Sequence, residues 1–69
     1  MAYFIEPGVV VTHPRRGGRI YVLGHEGGHH WFVRENGEHK VMNLKEYEIC
    51  APATKETRAE AEVEYVLKS

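Results

Sequence analysis

Sixty-nine residues with nine Lys and Arg, ten acids that are all Glu, five His and one Cys carry a formal charge of −1. A chain this short forms one domain that buries only about 60% of the surface its unfolded form exposes. Lone Cys50 excludes an intramolecular disulfide, which suits a reducing compartment. The near-neutral balance excludes a global field for nucleic acid or anionic membrane, and the lack of Asp weakens readings based on calcium loops or aspartyl chemistry. Met1-Ala2-Tyr3-Phe4-Ile5 is cut by Glu6 and Pro7, too short for a signal peptide or a bilayer span, so the expected setting is cytoplasmic.

Pro7-Gly8 signals a turn, and Val9-Val10-Val11-Thr12-His13 is a β-branched run stopped by Pro14, which predicts the first strand. Arg15-Arg16-Gly17-Gly18 reads as a basic loop. A second strand follows at Arg19-Ile20-Tyr21-Val22-Leu23, with Ile20 and Val22 on one face and Tyr21 and Leu23 on the other. Gly24-His25-Glu26-Gly27-Gly28 breaks it, and His29 to Arg34 forms a third strand. Asn36-Gly37 then marks a two-residue hairpin, because a type I′ turn needs positive φ at both central positions. Glu38 to Met42 is the fourth strand. Asn43 to Tyr47 reads as one helical or 3₁₀ turn with Leu44 and Tyr47 on one side. Glu48-Ile49-Cys50-Ala51 is a short fifth strand ended by Pro52.

The Val-rich first strand after Pro7-Gly8, the Gly-containing loop, the Asn36-Gly37 hairpin and the residue 43–49 segment together resemble the SH3-like small β-barrels of the KOW and Tudor kind. The resemblance spans residues 8–51. It implies a mainly β fold, a five-stranded antiparallel SH3-like barrel over residues 1–52. In a Tudor-type module it also implies an aromatic cage, for which Tyr21, Trp31, Phe32 and Tyr47 are the available side chains.

Residues 53–69 change character. Thr54 is placed as an N-cap, and Ala59, Val63, Val66 and Leu67 follow i, i+4, i+7, i+8 spacing, which predicts an amphipathic helix; alternation of Val63, Tyr65 and Leu67 leaves a sixth strand as the other option. The apolar stripe is expected against the barrel or in a dimer seam. Glu56, Glu60 and Glu64 then form an outward acidic ridge able to meet a basic partner.

Among residues that carry chemistry, His25 and His29 of the His25-Glu26-Gly27-Gly28-His29-His30 loop are weak metal candidates, since adjacent strand residues face opposite ways. Cys50 reads as a small apolar core residue rather than a nucleophile. No nucleophile elbow, phosphate-cradling loop or dinucleotide fingerprint is present, so neither catalysis nor a cofactor is expected. Arg15, Arg16 and Arg19 around a Gly-Gly pair can grip phosphates or acidic surfaces, with Tyr21 or Trp31 for stacking. Trp31 and Phe32 must face opposite sides; Trp31 shares a face with Val33 and is expected in the core, leaving Phe32 for a partner.

These features point first to a non-enzymatic module that binds a protein partner stoichiometrically through Arg15, Arg16, Arg19, Tyr21, Phe32, Glu56, Glu60 and Glu64. In size and style it resembles small phage and mobile-element proteins, some of which inhibit host nucleic-acid machinery such as CRISPR effectors. A KOW-like nucleic-acid-binding module using the Arg15, Arg16 and Arg19 loop is the second reading, and a His-loop metal protein the third. No membrane partner is expected, and a homodimer is compatible with the small core.

Overall fold

Strand-forming residues and glycine turns build β1 (Val10–His13), β2 (Gly17–Gly27), β3 (His30–Glu35), β4 (Glu38–Asn43) and β5 (Glu48–Ala51), followed by helix α1 (Lys55–Leu67) in the computed structural model. Residues 4–68 are described; Met1-Ala2-Tyr3, on which the signal-peptide reading partly rested, and Ser69 lie outside the described residues. All pairings are antiparallel and give one sheet in the order β4-β3-β2-β1-β5. The sheet is open. Strands β4 and β5 form its edges rather than closing against each other, so the expected barrel closure is absent.

The hairpin between β3 and β4 has the anticipated turn: Asn36 has φ 52° and Gly37 φ 81°, with Glu35 paired to Glu38. The second strand is longer than expected. It continues through Gly24 to Gly27 because its register against β3 shifts twice, between Val22 and Gly24 and between His25 and Gly27. Such irregularities bend a strand and raise its twist without ending it. Glycine therefore marks bends here, not a break.

Two apolar layers lie on opposite faces of the sheet. Val9, Val11, Ile20, Val22, Val33 and Leu44 form the main core. Trp31, Met42, Tyr47 and Ile49 pack around it, so all five strands contribute to one side and the sheet curves around its own interior. Trp31 is on that side with Val33, as expected. The second layer consists of Leu23, Phe32 and Ala61, with Tyr65 packed against them. Helix α1 covers this layer. Phe32, expected at the surface, is only 8% exposed.

Two glycines permit the helix to approach this closely. A Cβ on Gly8 would stand 2.9 Å from the backbone nitrogen of Arg58, and one on Gly24 would stand 2.3 Å from the Tyr65 ring. Gly8 also has φ 101°, a conformation costly to other residues, and its N–H donates to the Val22 carbonyl at 2.8 Å. The N-terminal strand entry, β2 and the helix thus meet at a place where no side chain fits.

Candidate partner-binding surface

Thr54 caps the helix as the sequence suggested. Its hydroxyl oxygen accepts from the Thr57 N–H at 3.1 Å, and its own N–H donates to the Thr57 hydroxyl oxygen at 2.7 Å, a reciprocal capping box. The segment is helix, not a sixth strand. Its orientation differs from the expectation. Ala61 is the buried residue, with Thr57, Glu64 and Tyr65 partly buried beside it. Val63, Val66 and Leu67 are 58%, 65% and 76% exposed, and Ala59 is exposed as well. The expected apolar stripe faces away from the sheet.

Polar anchors explain this rotation. The Tyr65 hydroxyl donates to a Glu26 carboxylate oxygen at 2.6 Å, which also receives Lys68 Nζ at 2.7 Å, and lies 3.0 Å from the His25 carbonyl. Arg58 Nε pairs with Glu6 at 3.1 Å. Arg34 of β3 pairs with Glu64 and places its guanidinium 4.8 Å from the Tyr21 ring centroid. Small Ala61 sits over Leu23 and Phe32, and the Tyr65 ring fills the space left by Gly24. Hydrophobic spacing alone cannot rank such contacts above a stripe of aliphatic residues.

The acidic ridge is accordingly split. Glu56 and Glu60 are exposed, whereas Glu64 turns toward the sheet and Arg34; its second carboxylate oxygen, Oε2, is buried without a hydrogen-bond partner. Val41, a core candidate by its sequence, instead joins the surface. It pairs with Phe32 across β3 and β4, so it shares the helix-side face, but α1 stops short of β4 and leaves Val41 51% exposed. The neighbouring His39 ring stacks on Phe32, centroids 5.4 Å apart and planes 6° from parallel. Between helix and edge strand lies a groove of about 260 Å³ lined by Phe32, His39, Glu64, Leu67 and Lys68. Along the same helix side, Arg34, Ala59, Glu60, Val63 and Glu64 line another of about 480 Å³.

The arginine loop is arranged differently from the expected phosphate-and-stacking site. Arg15 and Arg16 are exposed in the turn after β1, where His13 Nδ1 accepts from both of their backbone N–H groups at 3.1 and 3.2 Å. That acceptor role requires an unprotonated nitrogen. Arg19 is exposed on β2. Among the described residues, none of these three arginines forms an ion pair. Their expected aromatic partners are elsewhere: Tyr21 is 37% exposed but lies against Arg34, and Trp31 packs on the main core beside His25. A groove of about 470 Å³ instead joins His13 and Arg16 to the Asn43-to-Tyr47 turn, where Tyr47 meets His13 edge-on at 5.2 Å. The four candidate cage aromatics are thus divided between the two faces of the sheet, Phe32 in the helix-side layer and Trp31 and Tyr47 around the main core.

The histidine loop is held by its own backbone. His25 Nε2–H donates to the Gly28 carbonyl at 2.8 Å, and the ring lies 4.6 Å from that of Trp31, while His29 is exposed. Among the described residues no group of three or more His, Cys, Asp or Glu is positioned to hold a metal ion. Cys50 is exposed, contrary to its expected core role, because alternation on β5 turns Ile49 and Ala51 inward and Glu48 and Cys50 outward.

Charge at the helix C-terminus makes its contact with Glu26 pH-dependent. Hydrogen bonds from Lys68 and then Tyr65 hold the Glu26 carboxyl below its ordinary value of 4.5, and the Glu26 carboxylate raises Lys68 above 10.5 and Tyr65 above 10.0. A lowered carboxylate contributes stability that is present above its unfolded value and is lost as pH falls through the folded one; raised Lys and Tyr contribute stability that is lost on the alkaline side. The contribution of this cluster to the melting temperature should therefore be level near neutrality and decline below about pH 4.5 and above about pH 10. Comparing Glu26→Gln with the native chain across pH isolates it. A difference between the two that grew as pH fell from 4.5 would contradict the assignment.

Among the described residues no helix is long and apolar enough to cross a membrane. Comparison with known protein families, characterised proteins and solved structures finds no match for the chain.

Proposed function

We propose that the protein is a non-enzymatic binding module that acts stoichiometrically on a protein partner, with the outward face of α1 as its contact surface. The observation that carries this reading is the exposure of Val63, Val66 and Leu67 on a helix whose inward face is held largely by polar anchors. Apolar residues grouped on one exposed face mark interaction sites in small soluble domains. The architecture is read as an SH3-like chain path with its sheet left open. Three features support that: β1 lies between β2 and β5, β2 is long and bent, and a single turn closed by Tyr47 N–H to the Leu44 carbonyl at 3.1 Å leads into β5.

The ion-pair-free Arg15, Arg16 and Arg19 favour a second reading, a nucleic-acid-binding module of the KOW kind. One experiment separates the two. The native chain, Val63→Ser with Leu67→Ser, and Arg15→Ala with Arg16→Ala are each used as bait in the source cell, with circular dichroism confirming the fold. The first reading expects a one-to-one protein partner retained by the arginine variant and lost from the helix variant. Retention by the helix variant, with loss of bound nucleic acid and of a steep salt dependence in the arginine variant, would replace it with the second.

A further inference from the structure

Accepting α1 as the contact face, we infer that the two grooves along α1, which meet at Glu64, together take a cationic amphipathic helix from the partner. Glu60, Val63, Glu64 and Leu67 stand at i, i+3, i+4 and i+7, so they form a single stripe of alternating acid and aliphatic character along one wall. The facing wall is Arg34 and His39, and exposed Val41 follows His39 on the same face of β4. The cations already present are engaged: Arg34 with Glu64, and Lys68 with Glu26. Among the described residues, what remains on the helix without a counter-charge is Glu60 in the groove beside Arg34 and exposed Glu56 and Glu62.

A helix presenting aliphatic side chains to Val41, Val63 and Leu67 and Lys or Arg to exposed Glu60 satisfies both parts of this wall at once, in the helix-in-groove manner. A second copy of the chain fits less well. Its own outward helix face brings Glu56, Glu60 and Glu62 against the same acids, and like charges brought together at an interface oppose association.

The test uses the full chain and two synthetic probes, an amphipathic helical peptide of Leu and Lys and its counterpart with every Lys replaced by Glu. Amide-resolved NMR at physiological salt locates binding, and titration measures affinity. The Leu-Lys peptide is expected to shift Val41, Val63 and Leu67, the Leu-Glu peptide to leave them unmoved, and Val63→Ser with Leu67→Ser to abolish the effect. Glu60→Gln, at an exposed position that leaves the Arg34 pair intact, should weaken binding by about tenfold, the scale of one charge-assisted contact.

Equal affinity for both peptides, or no effect of Glu60→Gln, would overturn the cationic occupant while leaving the helix face in place. Shifts confined to Arg15, Arg16 and Tyr47 would remove the helix face as well. Light scattering that showed a dimer of the native chain dissociating in the Val63→Ser, Leu67→Ser variant would give the groove to a second copy instead.

Discussion

Phe32→Ala is expected to destabilise the protein by about 3–5 kcal/mol, the usual range for emptying a buried aromatic site. The side chain is 8% exposed and is enclosed by Leu23, Ala61 and Tyr65, with the His39 ring stacked parallel to it. Against a net stability that is of order 5–15 kcal/mol in native domains and low in small ones, such a loss unfolds much of the population. Urea denaturation gives the measurement. Val41→Ser is the internal control: it lies opposite Phe32 on the same face but is exposed, so its unfolding free energy should change by no more than about 0.5 kcal/mol. A Phe32→Ala midpoint equal to that of Val41→Ser would mean that the helix does not cover the sheet as described.

Leu44→Ala should cost about 2–5 kcal/mol, although the residue lies outside any strand. Its side chain is 1% exposed within the main core, and its N–H donates to the His29 carbonyl at 2.9 Å, tying the turn to the start of β3. The hydrogen bond survives the substitution, so the loss reports the cavity alone. For a domain of this size the thermal midpoint should fall by at least about 8 °C. Tyr47, which sits on the same side but is only half-buried, should show a smaller drop when changed to Ala. A larger effect at Tyr47 than at Leu44 would place the weight of the core toward the His13 and Arg16 groove.

The elements most legible in the sequence were those set by local chemistry. Asn36-Gly37 requires its turn through backbone sterics, Pro14 and Pro52 punctuate strands, and Thr54 caps the helix through its own hydroxyl; each needs no knowledge of distant residues. The helix register was not legible, because it is decided by Tyr65 reaching His25 and Glu26 and by Arg34 reaching Glu64, partners 30 to 40 positions away. Phe32 was misplaced for the same reason. Alternation correctly separates it from Trp31, but cannot show that a helix covers the second face. One signal was available: Gly24 in a strand interior can mark close approach by another group, and here that group is the Tyr65 ring. Of the candidate contact residues, Glu56 and Glu60 remain free on the helix, while Tyr21, Phe32 and Glu64 are engaged within the fold.

Strand β3 carries Val33 into one apolar layer and Phe32 into the other, so the two layers share a backbone. The helix cannot detach without uncovering the reverse side of the strand that holds the main core together. Folding of the sheet and docking of the helix are then expected to be one cooperative event, with the amides of α1 and β3 falling in a single protection class in hydrogen exchange. A ligand seated on the outer face of α1 need not touch the sheet to slow its opening, because whatever holds the helix holds the whole chain.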